Sequence, residues 1–379
     1  MDLLCYSHLR WNFVYQRPQH LMSRFATDRR VFFIEEAVHD ADLPVLKVEQ
    51  PVDNVFVLTP HLQAGKGSAN DINVQKELLA EFASTHRVVE HIAWYYTPIA
   101  LALSDSFAPA QVIVYDCMDE LSAFMNAPAE LIQKEAELMK LADIVFTGGN
   151  SLYQVKKTMH HNVHSCPSSI DKEHFTIARG RLPQPADQDS IPHPRLGFFG
   201  VIDERLDIEL LDAIAAERPE WQLVLIGPVV KIDPEKLPNR PNIHYLGSKS
   251  YAELPVYLSG WDVALLPFAK NAATRYISPT KTPEYLAGGK PVVSTSIADV
   301  VDPYGLEELV SIADESLDFV YRIAEHLYTV KKTSWLIKVD SFLADLSWDK
   351  TWAAMMLEIN KILKEEQDVL FSSKKLDYV

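Results

Sequence analysis

At 379 residues, with 47% hydrophobic and 23% charged residues, the chain is too long for one ordinary core and apolar enough to bury two. A net charge of −16 and a pI near 5.2 set most of its surface against a phosphodiester backbone, so a nucleic-acid partner is excluded from the expectations. No apolar run has the length of a membrane span and no basic leader precedes the first strand-like run, so a cytoplasmic protein is expected, with room for peripheral contact at a membrane surface.

Strands are predicted at Leu3–Tyr6, Val31–Ile34, Val55–Leu58, Ile92–Tyr95, Val112–Tyr115, Ile144–Thr147 and Val163–Cys166. Helical spacing alternates with them at Pro18–Phe25, Asp71–Thr85, Pro98–Phe107, Pro128–Leu141 and Ser151–His160, which is the rhythm of a parallel sheet. The turn after the first strand holds His8, Arg10 and Trp11, at the carboxyl edge where an open α/β sheet places its ligand crevice. Arg17, His20 and Arg24 follow at spacings of three and four, opposite Leu21 and Phe25. That cationic face suits an acidic or diphosphate-bearing acceptor, the other reading of Arg24 being a solvated surface. Asp116, Asp119 and Glu120 close the strand Val112–Tyr115, where a carboxylate can act as base toward a hydroxyl or orient it; Asp119 or Glu120 can equally cap a helix. Cys5, Cys117 and Cys166 lie in or beside apolar runs without metal-ligand spacing and read as buried thiols.

Residues 1–178 are thus expected to form one domain, followed by a linker at 179–194. Pro183, Pro185, Pro192 and Pro194 crowd that linker, a composition that neither packs a core nor sustains a helix. A second domain at 195–345 carries strands at Arg195–Phe199, Leu223–Ile226, Ile243–Leu246, Val263–Leu266, Val292–Ser294 and Leu309–Ile312, and a helix at Asp318–Tyr328. Gly200, Gly227 and Gly247 each end an apolar run there, where tight turns and close ligand approach are needed. Within 346–379, a helix at Asp349–Leu363 shows a one-sided stripe of Trp352, Met355, Met356, Ile359 and Leu363, and the charged tail from Glu365 is expected to fray.

Residues 278–295 carry the densest chemistry. A loop with Pro279 runs into a short helix holding Lys281 and Glu284, which ends at Gly288-Gly289 and leads into an apolar strand. The amides and dipole at such a helix start, with the Lys281 charge, suit a diphosphate, and Glu284 one turn deeper can accept from ribose hydroxyls. Sugar nucleotides present both groups. Arg205, in the polar loop after Gly200, can pair on the surface with Glu204 or Asp207. Gly247 and Ser248 start a turn that ends at a Ser250 helix cap.

Ser278-Pro279-Thr280-Lys281 through Pro291-Val292-Val293 resembles the Pro-x-Lys-x-x-Glu-Tyr-Leu-Ala-x-Gly-Lys-Pro-Val-Val signature of GT-B glycosyltransferases, closest to the bacterial family 1/4 group. The resemblance covers nearly the whole chain and is strongest at 195–295. It implies an α/β GT-B fold: two Rossmann-like, doubly wound parallel-sheet domains facing a cleft, with a C-terminal helix crossing back to the first. It further implies a metal-independent, hexosyltransferase-like enzyme, without cofactor, moving a sugar from a UDP- or GDP-sugar to a glycan or lipid-linked acceptor in surface polysaccharide or glycolipid assembly. On this reading Gly200, Arg205, Gly247, Ser248, Tyr276, Ser278, Pro279, Thr280, Lys281 and Glu284 bind the donor. His8, Arg10, Trp11, Arg17 and His20 face the acceptor, and Asp116, Asp119, Lys281 and Arg205 carry catalysis. The sequence departs from the family pattern at Val201, where an arginine is usual, at Asp207-Ile208 in place of Lys-Gly, and at Tyr276, which stands where many retaining members have a first glutamate. Ser168-Ser169 also replace the usual Asn-Gly of the segment joining the domains. The alternatives are a sugar-nucleotide epimerase or hydrolase on the same plan, or a non-catalytic subunit that binds nucleotide or glycan.

Overall fold

A computed structural model of the chain describes residues 1–65, 67, 70–328 and 332–376. The apolar runs of the first half assemble into a nine-stranded sheet of β1 (Asp2–Ser7), β2 (Val31–Glu35), β3 (Val38–Ala41), β4 (Val45–Val52), β5 (Val55–Gln63), β6 (His91–Tyr95), β7 (Val112–Cys117), β8 (Ile144–Thr147) and β9 (Val163–Ser165). Its order is β3-β5-β2-β1-β6-β7-β8-β9, with β4 added antiparallel along β5. Every residue of β1 is buried because helices cover both faces of the sheet, which is why its strands read as continuous apolar runs. On one face, α1 (Arg17–Phe25) closes a core around Leu3, Phe33 and Trp94. The other face is covered by α2 (Asp71–His86) and α3 (Leu131–Leu141), over Leu4, Phe32 and Tyr95. Next come α4 (Asn150–Lys156), α5 (Lys172–Thr176) and α6 (Ala186–Asp189).

The second sheet is wholly parallel, with β10 (Arg195–Phe199), β11 (Gln222–Ile226), β12 (Ile243–Tyr245), β13 (Val263–Leu266), β14 (Val292–Ser294) and β15 (Ser311–Ile312) in the order β12-β11-β10-β13-β14-β15. Its helices are α7 (Ile208–Glu217), α8 (Leu254–Ser259), α9 (Lys281–Ala287), α10 (Ala298–Val300), α11 (Ser316–Tyr328) and α12 (Lys332–Leu343). Strand order reverses at β1 in one sheet and at β10 in the other, so each lobe opens a crevice beyond those carboxyl ends. The last helix, α13 (Trp348–Leu376), returns to the first lobe. Its Trp348, Met355, Met356 and Ile359 enter the core that α1 closes.

Several features differ from the sequence expectations, among them the strand β3. The edge strand β4 has seven exposed positions and lacks the apolar alternation that marks a buried strand; its pairing to β5 defines it. The proline-rich segment supports α6, and Gln188 and Ile191 are buried in it. Polar residues interrupt α12, which periodicity therefore misses. The expected frayed tail continues α13 as far as Leu376, and residues 377–379 lie outside the described residues.

Candidate functional site

The two crevices face one another and enclose a cavity of about 350 Å³. The first lobe contributes the β1–α1 loop, Trp11 to Gln16; the second contributes the ends of β10 and β11, the Ser248–Tyr251 turn and the start of α9. A smaller cavity of about 70 Å³ shares Gln16, Val201, Arg205, Thr280 and Lys281 with it and extends to Met118, Asp119, Ser168 and Ile277–Pro279.

Glycine makes the junction possible. At Gly200 φ is +145°, and a Cβ there would lie 2.0 Å from Lys281 Cε, so the lysine stem needs a bare backbone beneath it. Gly227, with φ +143°, backs onto the Gly200 carbonyl, 1.8 Å from where its own Cβ would be. The Tyr285 hydroxyl accepts from the Phe199 amide at 2.9 Å, which pins α9 to the end of β10. The helix buries Thr282 to Ala287 and turns Lys281 and Glu284 toward the cavity.

Lys281 has no close ion-pair partner among the described residues; its ammonium lies 5.8 Å from the Phe198 ring centroid. Burial and the neighbouring Arg205 press its pKa down to about 8. Burial pushes Glu284 up to about 8, against the pull of Lys281. Arg205 gives Nε and Nη2 to buried Asp203 at 2.7–3.1 Å, and its Nη1 carries no hydrogen bond among the described residues. Asp119 is the one carboxylate lining the smaller cavity among the described residues. Burial raises its pKa while Arg205 and Lys281 draw it down.

Of the residues singled out from sequence, Trp11, Gly200, Arg205, Ser248, Thr280, Lys281 and Glu284 line the larger cavity, and Asp119, Ser278 and Pro279 line the smaller. Gly247 stands just behind: with φ +68°, its carbonyl accepts from the Gly227 amide at 2.9 Å. Tyr276 lines neither cavity and packs against the apolar cluster of the first lobe.

The expected cationic acceptor face is corrected by its surroundings. Arg17 is fully buried, giving Nε and Nη2 to Asp116 at 2.8–3.1 Å and Nη1 to the Cys166 carbonyl at 2.7 Å; one edge reaches the smaller cavity. Asp116 is sealed by that pairing and lines neither cavity, so it is not placed to act as a base. Stacked on Trp348 with centroids 4.5 Å apart, His20 is desolvated and its pKa falls to about 3, leaving a neutral ring. Arg24 pairs with Asp349 on α13. Burial likewise lowers His8 to about 4, and Arg10 is held by Glu35 at 2.8 Å; neither lines a cavity. Of the thiols, Cys5 and Cys117 are buried and Cys166 is half-buried, all three free.

Sequence reasoning missed Asp203 and the reach of the β1–α1 loop through Asn12 to Gln16. Asp203 stands two residues before Arg205, a spacing that pairs readily in a turn, and the loop directly continues Trp11.

Residues 193–327 match the family model described as glycosyl transferases group 1. A Bacillus subtilis (strain 168) protein named as a teichuronic acid biosynthesis glycosyltransferase, TuaH, is 27% identical over 246 residues. The match covers 60% of this chain and 61% of that protein, so the chain spans less than two thirds of its relative's length. Among solved structures, sucrose-phosphate synthase from Thermosynechococcus elongatus is 15% identical with a TM-score of 0.69, covering 96% of this chain and 99% of that one. Anabaena HepE in complex with UDP and glucose is 15% identical with a TM-score of 0.65, covering 95% and 99%. At such identities the property held in common is the two-lobed fold.

Proposed function

We propose that this chain, which shares the two-lobed GT-B fold and matches the glycosyl transferases group 1 model at residues 193–327, moves a sugar from a UDP- or GDP-sugar to an acceptor hydroxyl, in polysaccharide or glycolipid assembly. The observation that carries this reading is the meeting of Lys281, Arg205 and the start of α9 where the two cavities join. The nucleoside then occupies the larger cavity with Glu284 toward the ribose, and the transferred sugar the smaller. The UDP complex of the Anabaena neighbour and the teichuronic acid name of the Bacillus relative support the donor and the context.

Breaking the glycosidic bond leaves negative charge on the departing diphosphate. Lys281 and Arg205 Nη1 meet that charge from a partly dehydrated wall, where a fixed cation counts for more than in water. Asp119, which lines the smaller cavity, is proposed to accept the acceptor's proton or to hold its hydroxyl. With both cationic roles filled by side chains, transfer is proposed to need no metal. Among the described residues no helix is long and apolar enough to cross a membrane, and access to a lipid-linked acceptor is proposed to come from peripheral contact.

The test is transfer of labelled sugar from UDP- and GDP-sugars to glycan or lipid-linked acceptors in EDTA. Epimerised or free sugar without acceptor would point instead to the hydrolase or epimerase reading, and failure of every nucleotide to bind would remove the assignment.

A pH profile gives a second measurement. Lys281 loses its proton, and with it the positive charge that faces the diphosphate, as pH rises through about 8. By calorimetry, UDP affinity is expected to fall above that pH by roughly tenfold per unit, one proton being coupled. Lys281→Arg, permanently charged, should flatten the fall.

A further inference from the structure

Residues 121–125 of the first lobe reach across the cleft to the loop that carries Arg205. The strap opens with a short 3₁₀ turn, Leu121–Ala123, and is anchored at its root by charge. Glu120 accepts from Lys156 at 2.8 Å and from Ser122 at 2.8 Å, and Lys156, only 2% exposed, also holds Glu135 at 2.6 Å. At its tip, the Met125 amide donates to Glu204 Oε1 at 3.0 Å. The Phe124 ring centroid lies 5.3 Å from Arg205 Cζ and 5.0 Å from Lys231 Nζ. From its own lobe, the Arg205 loop is held by Asn271 and Ala269, which donate to the Glu204 and Arg205 carbonyls at 2.8 Å.

We propose that Phe124 is a positioning residue for Arg205, so that the diphosphate-binding cation is set in place across the domain interface, with the strap docked on residues 204–205. The inference rests on the donor-site reading above. Phe124 lines neither cavity and so acts through the guanidinium. Asp203 fixes one edge of that group, and the aromatic face constrains the plane, leaving Nη1 for the ligand. An arginine held by Asp203 alone keeps its charge but can swing about that edge. With Phe124 beneath it, the orientation a phosphate oxygen requires is already selected before the ligand arrives.

The experiment compares Phe124→Leu, Phe124→Trp, Glu204→Ala and Arg205→Ala in the full chain, reading UDP affinity by calorimetry, donor kcat/KM, and thermal unfolding as a check of the fold. Phe124→Leu keeps apolar bulk and removes the ring face; it is expected to weaken UDP binding and kcat/KM roughly 5- to 10-fold. Phe124→Trp should restore both to within about twofold, because indole offers the stronger cation-binding face. Glu204→Ala, which undocks the strap without touching the ring, should reproduce the leucine loss. The proposal is overturned if Phe124→Leu binds UDP as the wild type does, or if leucine and tryptophan lose equally. Arg205→Ala separates the two levels of inference. Wild-type UDP binding by that variant defeats the donor-site reading itself, whereas loss there with none in Phe124→Leu defeats only the positioning role.

Discussion

Lys281→Ala is expected to lower kcat for sugar transfer by roughly 100-fold or more at saturating donor, the size of effect seen when one preorganised charge-stabilising donor is removed. The lysine sits over the bare backbone of Gly200, at the seam of the two cavities, with no close ion-pair partner among the described residues. Its deletion therefore breaks no close ion pair; it relieves the repulsion from Arg205, and buried Glu284 and Asp119, which lose its pull, can take up protons. The fold should survive, and thermal unfolding checks that it does. Lys281→Arg should recover part of the rate, limited by the fit of a planar group above Gly200. Near wild-type turnover by a folded alanine variant would take catalysis away from this corner of the cleft.

The second large effect falls on stability. Asp116→Ala leaves the Arg17 guanidinium, fully buried, without its bidentate partner, and such an uncompensated charge costs about 3–5 kcal/mol. Urea unfolding should show the loss as a lower midpoint. The double replacement Arg17→Met with Asp116→Leu should recover most of it, since a packed apolar pair avoids the desolvation of two ions. If Asp116→Asn folded normally and abolished transfer, the carboxylate would have to be returned to the chemistry. The geometry points the other way: three guanidinium contacts at 2.8–3.1 Å enclose both of its oxygens.

The contrast between Arg17 and Lys281 shows what a sequence makes legible. Lys281 is readable because its neighbours act locally: a proline loop, a helix start and a glycine end lie within a few residues and dictate where the side chain must go. Arg17 is not, because its partner stands 99 residues away and the helix that carries it is enclosed by α13 from the far end of the chain. Periodicity tells which of Arg17, His20 and Arg24 share a face, and it is silent on what that face meets. The same reasoning separates the strands. Arg195–Phe199 and Val263–Leu266 are buried on both sides and announce themselves as apolar runs, whereas the edge strand Val45–Val52 owes its existence to hydrogen bonds with Val55–Gln63. Tyr276 shows the limit of alignment by spacing. It stands eight residues before Glu284, yet the chain between them turns its ring toward the first lobe.

Because Trp348, Met355 and Ile359 complete the core that Leu3, Leu21 and Phe33 begin, the two lobes cannot mature in the order in which they are translated. A nascent chain whose first sheet has already left the ribosome still lacks the helix that seals one of its faces, and it must hold that face open while the whole second lobe emerges. In that interval the exposed apolar surface is what a chaperone would meet, and closure of the early half waits on α13.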